Sequence, residues 1–237
     1  MKILVTGGAG FVGTNLIKRL INENHDVVSI DNYSIGSTQN HIDGVIYHDM
    51  DVNIIHTLTN DFNLIFHLAG LSRIQPSFSD PTQTFRANTC GVEAILEWTR
   101  AKKTKVIYSG SSSKHHNPYQ SPYAFYKYLG EEMCRMYRKT YSMPIEIVRF
   151  YNVYGPRQNP IYVVSKSIYR VLNNLPPELY DGGNQTRCLT YIDDVTEGII
   201  KLINKPATPD PNFNFTSPKP STSWVSHRIF NIGNQES

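Results

Sequence analysis

Three residues that could carry out acid–base chemistry on an alcohol lie together in the middle of the sequence. The stretch SSSKHHNPYQSPYAFYK holds Ser111, Tyr123 and Lys127, with the tyrosine and the lysine four positions apart. If this stretch is helical, the phenol and the ammonium lie on one face, close to each other. Oxidation of a secondary alcohol needs a base for the hydroxyl proton, and a phenol with a pKa of about 10 is a weak base at neutral pH. Because a neighbouring ammonium favours the phenolate, the three residues are candidate catalytic residues.

The Tyr-x-x-x-Lys spacing alone is weak evidence, because the chain has 15 tyrosines and a second match at Tyr162 and Lys166. The first pair follows KVIYSGSSS, a run typical of a strand that ends in serines. In a parallel sheet, ligands bind at the carboxyl ends of the strands. The second pair follows neither a strand nor a serine. We therefore predict that the first pair is functional, with ordinary helix-surface residues as the alternative.

The elements that must position these residues alternate along the chain between short apolar runs and amphipathic stretches. The sequence predicts strands before residue 7, up to residue 31, and at 45–47, 64–68, 106–108 and 145–150, with helices at 11–24, 81–101, 122–142, 163–174 and 192–204. This alternation indicates an α/β fold with a parallel sheet covered on both faces, a doubly wound sheet of Rossmann type. The pattern loosens near Gly155, so we predict a cofactor-binding domain at 1–154 and a smaller lobe at 155–237.

The amino-terminal end has the spacing of a dinucleotide-binding turn. Gly7, Gly10 and Gly13 lie between a strand and a helix, where backbone N–H groups can approach a pyrophosphate at the positive end of the helix. Asp31 ends the second strand, where its carboxylate can accept hydrogen bonds from ribose hydroxyls and would repel a 2′-phosphate. We therefore expect NAD, with a turn that binds another phosphate, or nothing, as the alternative. The contacts expected from this spacing are Gly7, Gly10, Gly13 and Asp31.

The composition excludes several classes of protein. With 237 residues, 40% of them hydrophobic, the chain can bury a full core, and no apolar run approaches the roughly 18 residues of a membrane span. A net charge of +3 from scattered basic residues does not suggest nucleic acid. We read no secretory signal, and three well-separated cysteines suit a reducing cytoplasm. We expect a cytoplasmic protein with neither membrane nor nucleic-acid partners.

Metal binding is also not expected from the sequence. The three cysteines have no metal-ligand spacing. The adjacent side chains of His115 and His116 would seldom aim at one ion, and no third ligand is obvious.

Four motifs resemble one family. TGGAGFVG, DN at residues 31–32, HLAG at 67–70 and RFYNVYGPRQ at 149–158 are similar in order and spacing to the extended short-chain dehydrogenases/reductases, and more narrowly to the NAD-dependent nucleotide-sugar epimerases and dehydratases. The resemblance implies further cofactor contacts at Phe11, Val12, Asn32, Asp49, Met50, Leu68, Ala69, Gly70, Asn88, Tyr123 and Lys127. It implies substrate contacts at Ser111, Ser112, Asn152 and Arg187, with the arginine on a diphosphate.

The reaction that the resemblance implies is 4-epimerisation of a UDP-sugar through a 4-keto intermediate. Dehydratases of the family carry an Asp-Glu pair where this chain has Ser112 and Ser113, so dehydration is disfavoured. The alternatives are a UDP-glucuronate decarboxylase, another nucleotide-sugar oxidoreductase or dehydratase, and a non-catalytic NAD-binding protein. The late stretch at 209–234 looks like UDP-glucuronate 4-epimerases, while the amino-terminal half resembles UDP-hexose epimerases equally well.

The chain also departs from the family. The loop at 114–122 is shorter than usual, and the family normally continues beyond NIGN with more helices. We therefore expect a shortened pocket rim and a small C-terminal substrate lobe, which is either naturally minimal or truncated. The helices at 81–101 and 122–142 correspond to the usual dimer face of the family, which implies a homodimer.

Overall fold

The computed structural model of the protein describes residues 1–115, 117–179, 181–184, 186–204, 211–214, 216–217 and 229–233. The strands in these ranges are β1 (Lys2–Thr6), β2 (Asp26–Asp31), β3 (Ile46–Asp49), β4 (Leu64–His67), β5 (Lys105–Ser111), β6 (Ile145–Phe150), β7 (Val153–Tyr154), β8 (Thr190–Tyr191) and β9 (Ile229–Ile232). The helices are α1 (Phe11–Asn22), α2 (Ile74–Ser79), α3 (Pro81–Phe85), α4 (Gly91–Arg100), α5 (Pro122–Tyr141), α6 (Val163–Leu172) and α7 (Ile192–Ile200).

Seven strands form one parallel sheet in the order β3-β2-β1-β4-β5-β6-β9. The chain moves outward from β1 to β3 on one side and then returns to continue from β4 on the other. The order therefore reverses between β1 and β4, which is the position where open α/β sheets bind their ligands. The short strands β7 and β8 pair in parallel as a separate ribbon.

The inner strands β1 and β4 are buried and largely apolar because helices cover both faces of the sheet. On one face, Leu4 and neighbouring strand residues pack in a cluster that includes Ile95 of α4 and Cys134 of α5. On the other face, Ile3 and its neighbours pack in a cluster that includes Leu16 of α1 and Val195 of α7. The predicted Rossmann-type α/β fold is confirmed.

The predicted helices lie close to the observed ones, and most observed helices end one to four residues earlier. The stretch predicted as one helix at 81–101 is α3 and α4 joined by a single turn of π-helix, the π-turn, at Arg86–Cys90. Helix α2 was not predicted, because its six residues include Pro76 and are too few for a periodic apolar pattern.

The second part of the chain contributes to the main sheet. Strand β9 pairs with β6, with Ile229 opposite Ile147, and helix α7 packs against α1. These two elements of the predicted 155–237 lobe complete the layers of the cofactor-binding fold, while α6 and the β7–β8 ribbon lie outside the seven-stranded sheet. The division at 154/155 stays a prediction. Most of the late stretch at 209–234 lies outside the described residues.

The helices and the cysteines can be compared with the composition-based expectations. Within the described part of the chain, no helix has both the length and the apolar character needed to cross a membrane. Cys90, Cys134 and Cys188 are free thiols. A cytoplasmic location stays a prediction.

Candidate active site

The glycine turn connects β1 to α1 and is packed too closely for side chains. Gly7 has φ of +72°, and a Cβ there would lie 2.8 Å from the backbone nitrogen of Ala69. A Cβ on Gly13 would lie 2.2 Å from the carbonyl oxygen of Gly7. Helix α1 begins after Gly10, and no side chain in the described residues caps its first turn. The N–H groups of this turn therefore suit an anionic group such as a pyrophosphate.

Asp31 ends β2 directly beside this turn. Its carboxylate accepts hydrogen bonds from the backbone N–H of Ala9 at 2.9 Å and from that of Tyr33 at 2.9 Å. Burial raises the pKa of Asp31, and these two hydrogen bonds partly offset the rise. Each carboxylate oxygen has further lone pairs, so the two backbone contacts orient the group and leave it able to accept from a ligand. The residues present therefore fit a dinucleotide with a ribose at Asp31.

The other predicted cofactor residues line the carboxyl ends of the neighbouring strands. Asp49 lies opposite Asp31 in the β2–β3 register, and Met50 donates its backbone N–H to the carbonyl oxygen of Asp31 at 3.0 Å. Asn32 donates its side-chain amide to Asp51 at 3.0 Å. The remaining three positions of this group follow β4 at the opposite side of β1: Leu68, Ala69 and Gly70.

Thr6, at the end of β1, holds the chain after β4. Its Oγ1 accepts a hydrogen bond from the backbone N–H of Ala69 at 3.1 Å and lies 2.8 Å from Nδ1 of His67. This contact joins two strand ends at the switch point of the sheet. Thr6 was not predicted from the sequence, although a threonine that ends a strand before a glycine turn is a recognisable signal.

Asn88 holds the next part of the same segment. Its side-chain carbonyl accepts from the backbone N–H of Leu71 at 3.0 Å, and its amide donates to the carbonyl oxygen of Leu71 at 2.9 Å. The residue is buried within the π-turn between α3 and α4. A Cβ on Gly70 would lie 2.5 Å from Oδ1 of Asn88, so a side chain at this position would displace the Asn88 amide. The π-turn therefore aims Asn88 under the chain that follows β4.

Helix α5 carries two of the three predicted catalytic residues, and its start is defined by local chemistry. Ser121 caps it by accepting from the backbone N–H of Ala124 at 3.1 Å, and Pro122 occupies the first helical position. The backbone N–H of Tyr123 donates to Oγ of Ser77 in α2 at 3.2 Å. The last of these contacts holds the first turn of α5 against α2.

The structure brings Tyr123 and Ser111 together. The phenolic hydroxyl donates to Oγ of Ser111 at 3.3 Å, and Oγ of Ser113 lies 2.8 Å from the same serine oxygen. Burial raises the pKa of Tyr123 above its ordinary value, and the hydrogen bond to Ser111 opposes this. Ser112, the serine predicted to bind substrate, is half-buried beside this group. The polypeptide thus holds the phenol and the serine hydroxyl in one small polar site at the end of β5.

Lys127 lies one helical turn beyond Tyr123 and is buried. Its ammonium donates to the carbonyl oxygen of Ser109 at 2.5 Å and lies 4.6 Å from the ring centroid of Tyr108. Burial lowers the pKa of Lys127 to about 8, and the carboxylate of Glu131 opposes the decrease. The side chain therefore remains largely charged at neutral pH.

The second Tyr-x-x-x-Lys match is split between two environments. Tyr162 precedes α6, and its hydroxyl lies 2.8 Å from Oγ of Ser72, in the segment that Asn88 holds from below. Lys166 instead forms an ion pair with Glu178. The pair is therefore not a second copy of the Tyr123 site, but Tyr162 reaches the rim near it, which was not predicted from the sequence.

The two predicted substrate residues of the later chain lie close to each other. Asn152 has φ of +41°, and its side-chain amide donates to the carbonyl oxygen of Cys188 at 3.3 Å. Arg187 precedes that cysteine, is exposed, and donates to the carbonyl oxygen of Thr186 at 2.7 Å. The segment that carries Arg187 therefore contacts the turn after β6 through Cys188.

The described residues contain no group of three or more His, Cys, Asp and Glu side chains that could hold a metal ion. Of the two histidines considered in the sequence, His116 lies outside the described residues.

A Rossmann-type parallel sheet with a glycine turn and an acid at the next strand end defines a dinucleotide-binding protein. Residues 3–233 match the model of the NAD dependent epimerase/dehydratase family. The chain belongs to this family, whose cofactor is NAD, and the resemblance to nucleotide-sugar epimerases and dehydratases is confirmed.

Relatives in this family differ in their reactions. A UDP-glucose 4-epimerase from Thermotoga maritima, solved with UDP-glucose, is 25% identical with a TM-score of 0.85, over 98% of this chain and 77% of that chain. A UDP-glucuronic acid 4-epimerase from Bacillus cereus, solved with UDP-glucuronic acid and NAD, is 28% identical with a TM-score of 0.82, over 100% and 78%. A UDP-N-acetyl-alpha-D-glucosaminuronate decarboxylase from Bacillus cytotoxicus is 29% identical over 86% of this chain and 71% of its own length.

Proposed function

We propose that the protein catalyses the NAD-dependent epimerisation of a UDP-sugar at C4′ through a 4-keto intermediate. The observation that carries the proposal is the contact between the hydroxyls of Tyr123 and Ser111, 3.3 Å apart at the carboxyl end of β5. A sugar hydroxyl bound between them could give its proton to the phenolate form of Tyr123, which becomes the phenol, while the serine donates to the same oxygen. Solved epimerases with the same fold support the choice of substrate class.

The cofactor would be held by the glycine turn and Asp31. The chemistry that NAD supplies when bound is the acceptance and return of a hydride. The N–H groups at the start of α1 would bind the pyrophosphate, and the Asp31 carboxylate would accept from the ribose hydroxyls. Asn88 would keep the segment after β4 in position through its two hydrogen bonds to Leu71.

The proton step would take place at Tyr123. The hypothesis from the sequence is that Lys127, together with the positive nicotinamide of bound NAD⁺, favours the phenolate. In the polypeptide without cofactor, burial raises the pKa of Tyr123. The Lys127 ammonium donates instead to the carbonyl oxygen of Ser109. We infer that the phenolate forms when the positive charge of the oxidised cofactor adds to that of the ammonium.

The diphosphate of the substrate would bind at Arg187, whose forked N–H groups match phosphate oxygens. Asn152 would act from the neighbouring turn through its amide. With the diphosphate fixed, the 4-keto sugar could turn and present its other face, which is the step that inverts C4′. Ser112 and Ser113 offer no carboxylates for the elimination of water, so the proposal does not extend to dehydration.

Decarboxylation is the second candidate, and the similarity to a decarboxylase supports it. Oxidation of a UDP-glucuronate at C4′ gives a β-keto acid, which can lose CO₂. The same Tyr123 and Ser111 would serve both reactions, so the two candidates differ only after the first oxidation.

The test is to incubate the protein with UDP-glucose, UDP-N-acetylglucosamine and UDP-glucuronate separately, and to monitor each by NMR without added reductant. Conversion of any of them to its C4′ epimer supports the proposal, and release of CO₂ from UDP-glucuronate supports the second candidate. Absence of conversion by protein with NAD bound would refute both for these substrates and favour a non-catalytic NAD-binding protein.

We also propose a homodimer formed through α4 and α5. Helix α5 is 20 residues long and has exposed Met136 on the side away from the sheet. Such a face could pack against its copy in a second chain.

A further inference from the structure

A buried ion pair lies directly under the candidate active site. Glu131 of α5 and Arg149 of β6 meet through two hydrogen bonds, from Nε to Oε1 at 2.9 Å and from Nη2 to Oε2 at 2.5 Å. Each side chain is only 1% exposed. The paired geometry is that of a bidentate arginine–carboxylate contact, which has a defined direction as well as strength.

The same carboxylate reaches the end of β5. Oε1 of Glu131 also accepts from the backbone N–H of Ser111 at 3.3 Å. A Cβ on Gly110 would lie 2.4 Å from this oxygen. The absence of a side chain at Gly110 therefore gives the carboxylate room to approach the strand. Gly110 and Arg149 are directly opposite each other in the β5–β6 register. Glu131 therefore ties together α5, β5 and β6 at the position where Ser111 emerges.

Glu131 also lies one helical turn after Lys127, so the two side chains are neighbours on the buried face of α5. The other titratable groups around Lys127 are Tyr123 and Cys134 of α5, Tyr108 of β5 and His67 of β4. At neutral pH these four groups are uncharged, because burial raises the pKa of the phenols and the thiol and lowers the pKa of His67 to about 3. Glu131 is thus the carboxylate that balances the lysine in this environment.

We propose that Glu131, oriented by Arg149, is a positioning residue for the proposed reaction: it fixes the Ser111 backbone and keeps Lys127 as an ammonium beside Tyr123. The effect on turnover rests on the proposed function, whereas the effects on the Ser111 backbone and on the charge of Lys127 do not. A purely structural ion pair is the alternative. Apolar replacements of buried ion pairs are often as stable as the pair itself, so stability alone gives little reason for two charges here.

The experiment measures the titration of Lys127 directly, without turnover. Protein with ¹⁵N-labelled lysine is titrated by NMR, and the Lys127 signal is assigned by its loss in Lys127→Arg. In Glu131→Gln we expect the pKa of Lys127, about 8 in the unchanged protein, to fall by about 1, since an opposite charge has been removed. The matched control is Glu132→Gln, the next residue of α5, which pairs with Arg135 at the surface and should change the pKa by less than about 0.3.

A second variant separates charge from folding. Glu131→Gln leaves Arg149 buried without its carboxylate, which can prevent folding, whereas Glu131→Gln with Arg149→Met removes both charges. We expect the double variant to fold. Lys127 should still titrate lower than in the unchanged protein, but by less than in Glu131→Gln, because the loss of the Arg149 charge partly offsets the loss of the carboxylate. The Ser111 amide should exchange with solvent more than about 10-fold faster than in the unchanged protein. A Lys127 titration and a Ser111 exchange rate equal to those of the unchanged protein would overturn the proposal. The Lys127 titration and the Ser111 exchange rate can be measured even if no UDP-sugar is converted. Failure of this proposal can therefore be distinguished from failure of the proposed function.

Discussion

The hydroxyl of Tyr123 lies 3.3 Å from Oγ of Ser111, although the two residues belong to different elements. Ser111 is the last residue of β5, and Tyr123 is in the first turn of α5, which returns across the carboxyl edge of the sheet. The contact exists because the sheet end and the helix start meet over the same polar site.

Replacement of Tyr123 by Phe should abolish turnover while leaving cofactor binding intact. The ring remains, but the proton acceptor is lost, so we expect a decrease in kcat of at least about 100-fold. Calorimetry with NAD⁺ and a turnover assay on the same preparation measure the two properties. Tyr126→Phe, one residue before Lys127 on the same helix, is the control and should retain activity. Undiminished turnover in Tyr123→Phe would assign the proton step to another group.

Replacement of Asp31 by Asn should weaken NAD⁺ binding and reduce the preference over NADP⁺. The amide accepts less strongly from ribose hydroxyls and no longer repels a 2′-phosphate, so we expect the Kd for NAD⁺ to rise about 10-fold. Calorimetric titration of both dinucleotides measures this. Asp26→Asn, exposed at the opposite end of β2, is the control. Tighter binding of NADP⁺ than of NAD⁺ by the unchanged protein would refute the role given to Asp31.

Replacement of Arg187 by Met should weaken the binding of UDP. Loss of a charge-assisted hydrogen bond to phosphate raises the Kd by about 10-fold or more. Isothermal titration with UDP, in the presence of NAD, provides the measurement. Arg100→Met serves as the control, because this arginine pairs with Glu97 on α4. Equal affinities for the two variants would show that the diphosphate binds elsewhere.

His67 should make the protein less stable in mild acid. Burial lowers the pKa of His67 to about 3 in the folded protein, whereas an unfolded chain has a histidine pKa near 6.5. Between about pH 3 and pH 6.5, the unfolded chain therefore binds a proton at this residue that the folded chain does not. Stability from this residue is therefore complete above about pH 6.5 and decreases as the pH falls, by about 2 kcal/mol at pH 5. Urea unfolding of the unchanged protein and of His67→Gln, each at pH 5 and above about pH 6.5, measures how much stability each protein loses in acid. His56→Gln, at an exposed histidine, is the control. The same pH dependence in all three proteins would contradict the prediction.

The homodimer can be tested by light scattering. We expect a mass of twice 27.0 kDa, and a shift toward the monomer when Met136 on the exposed side of α5 is replaced by Lys, since a charge in an apolar contact is costly. Glu132→Gln on the same helix adds no charge and should leave the mass unchanged. A monomer at high protein concentration would count against the dimer.

Much of the fold could be predicted from local patterns in the sequence. The apolar runs predicted β4 and β6, and the amphipathic stretches predicted α1 and α5, because burial on one or both faces of an element imposes its own period on the chain. The glycine turn and Asp31 were predicted for a similar reason: a close backbone approach and a ribose contact need particular residue types at short spacing.

Contacts between residues distant along the chain were decided by the tertiary structure. The spacing of Tyr123 and Lys127 predicted that they share a helix face, but the ammonium donates to Ser109, and the phenol meets Ser111 because β5 and α5 end and begin at the same edge. Nor does any local pattern show that Arg149 of β6 will meet Glu131 of α5. That pairing depends on the order of the strands in the sheet. Strand order is set by the packing of the whole chain, so it cannot be deduced from any short stretch of sequence.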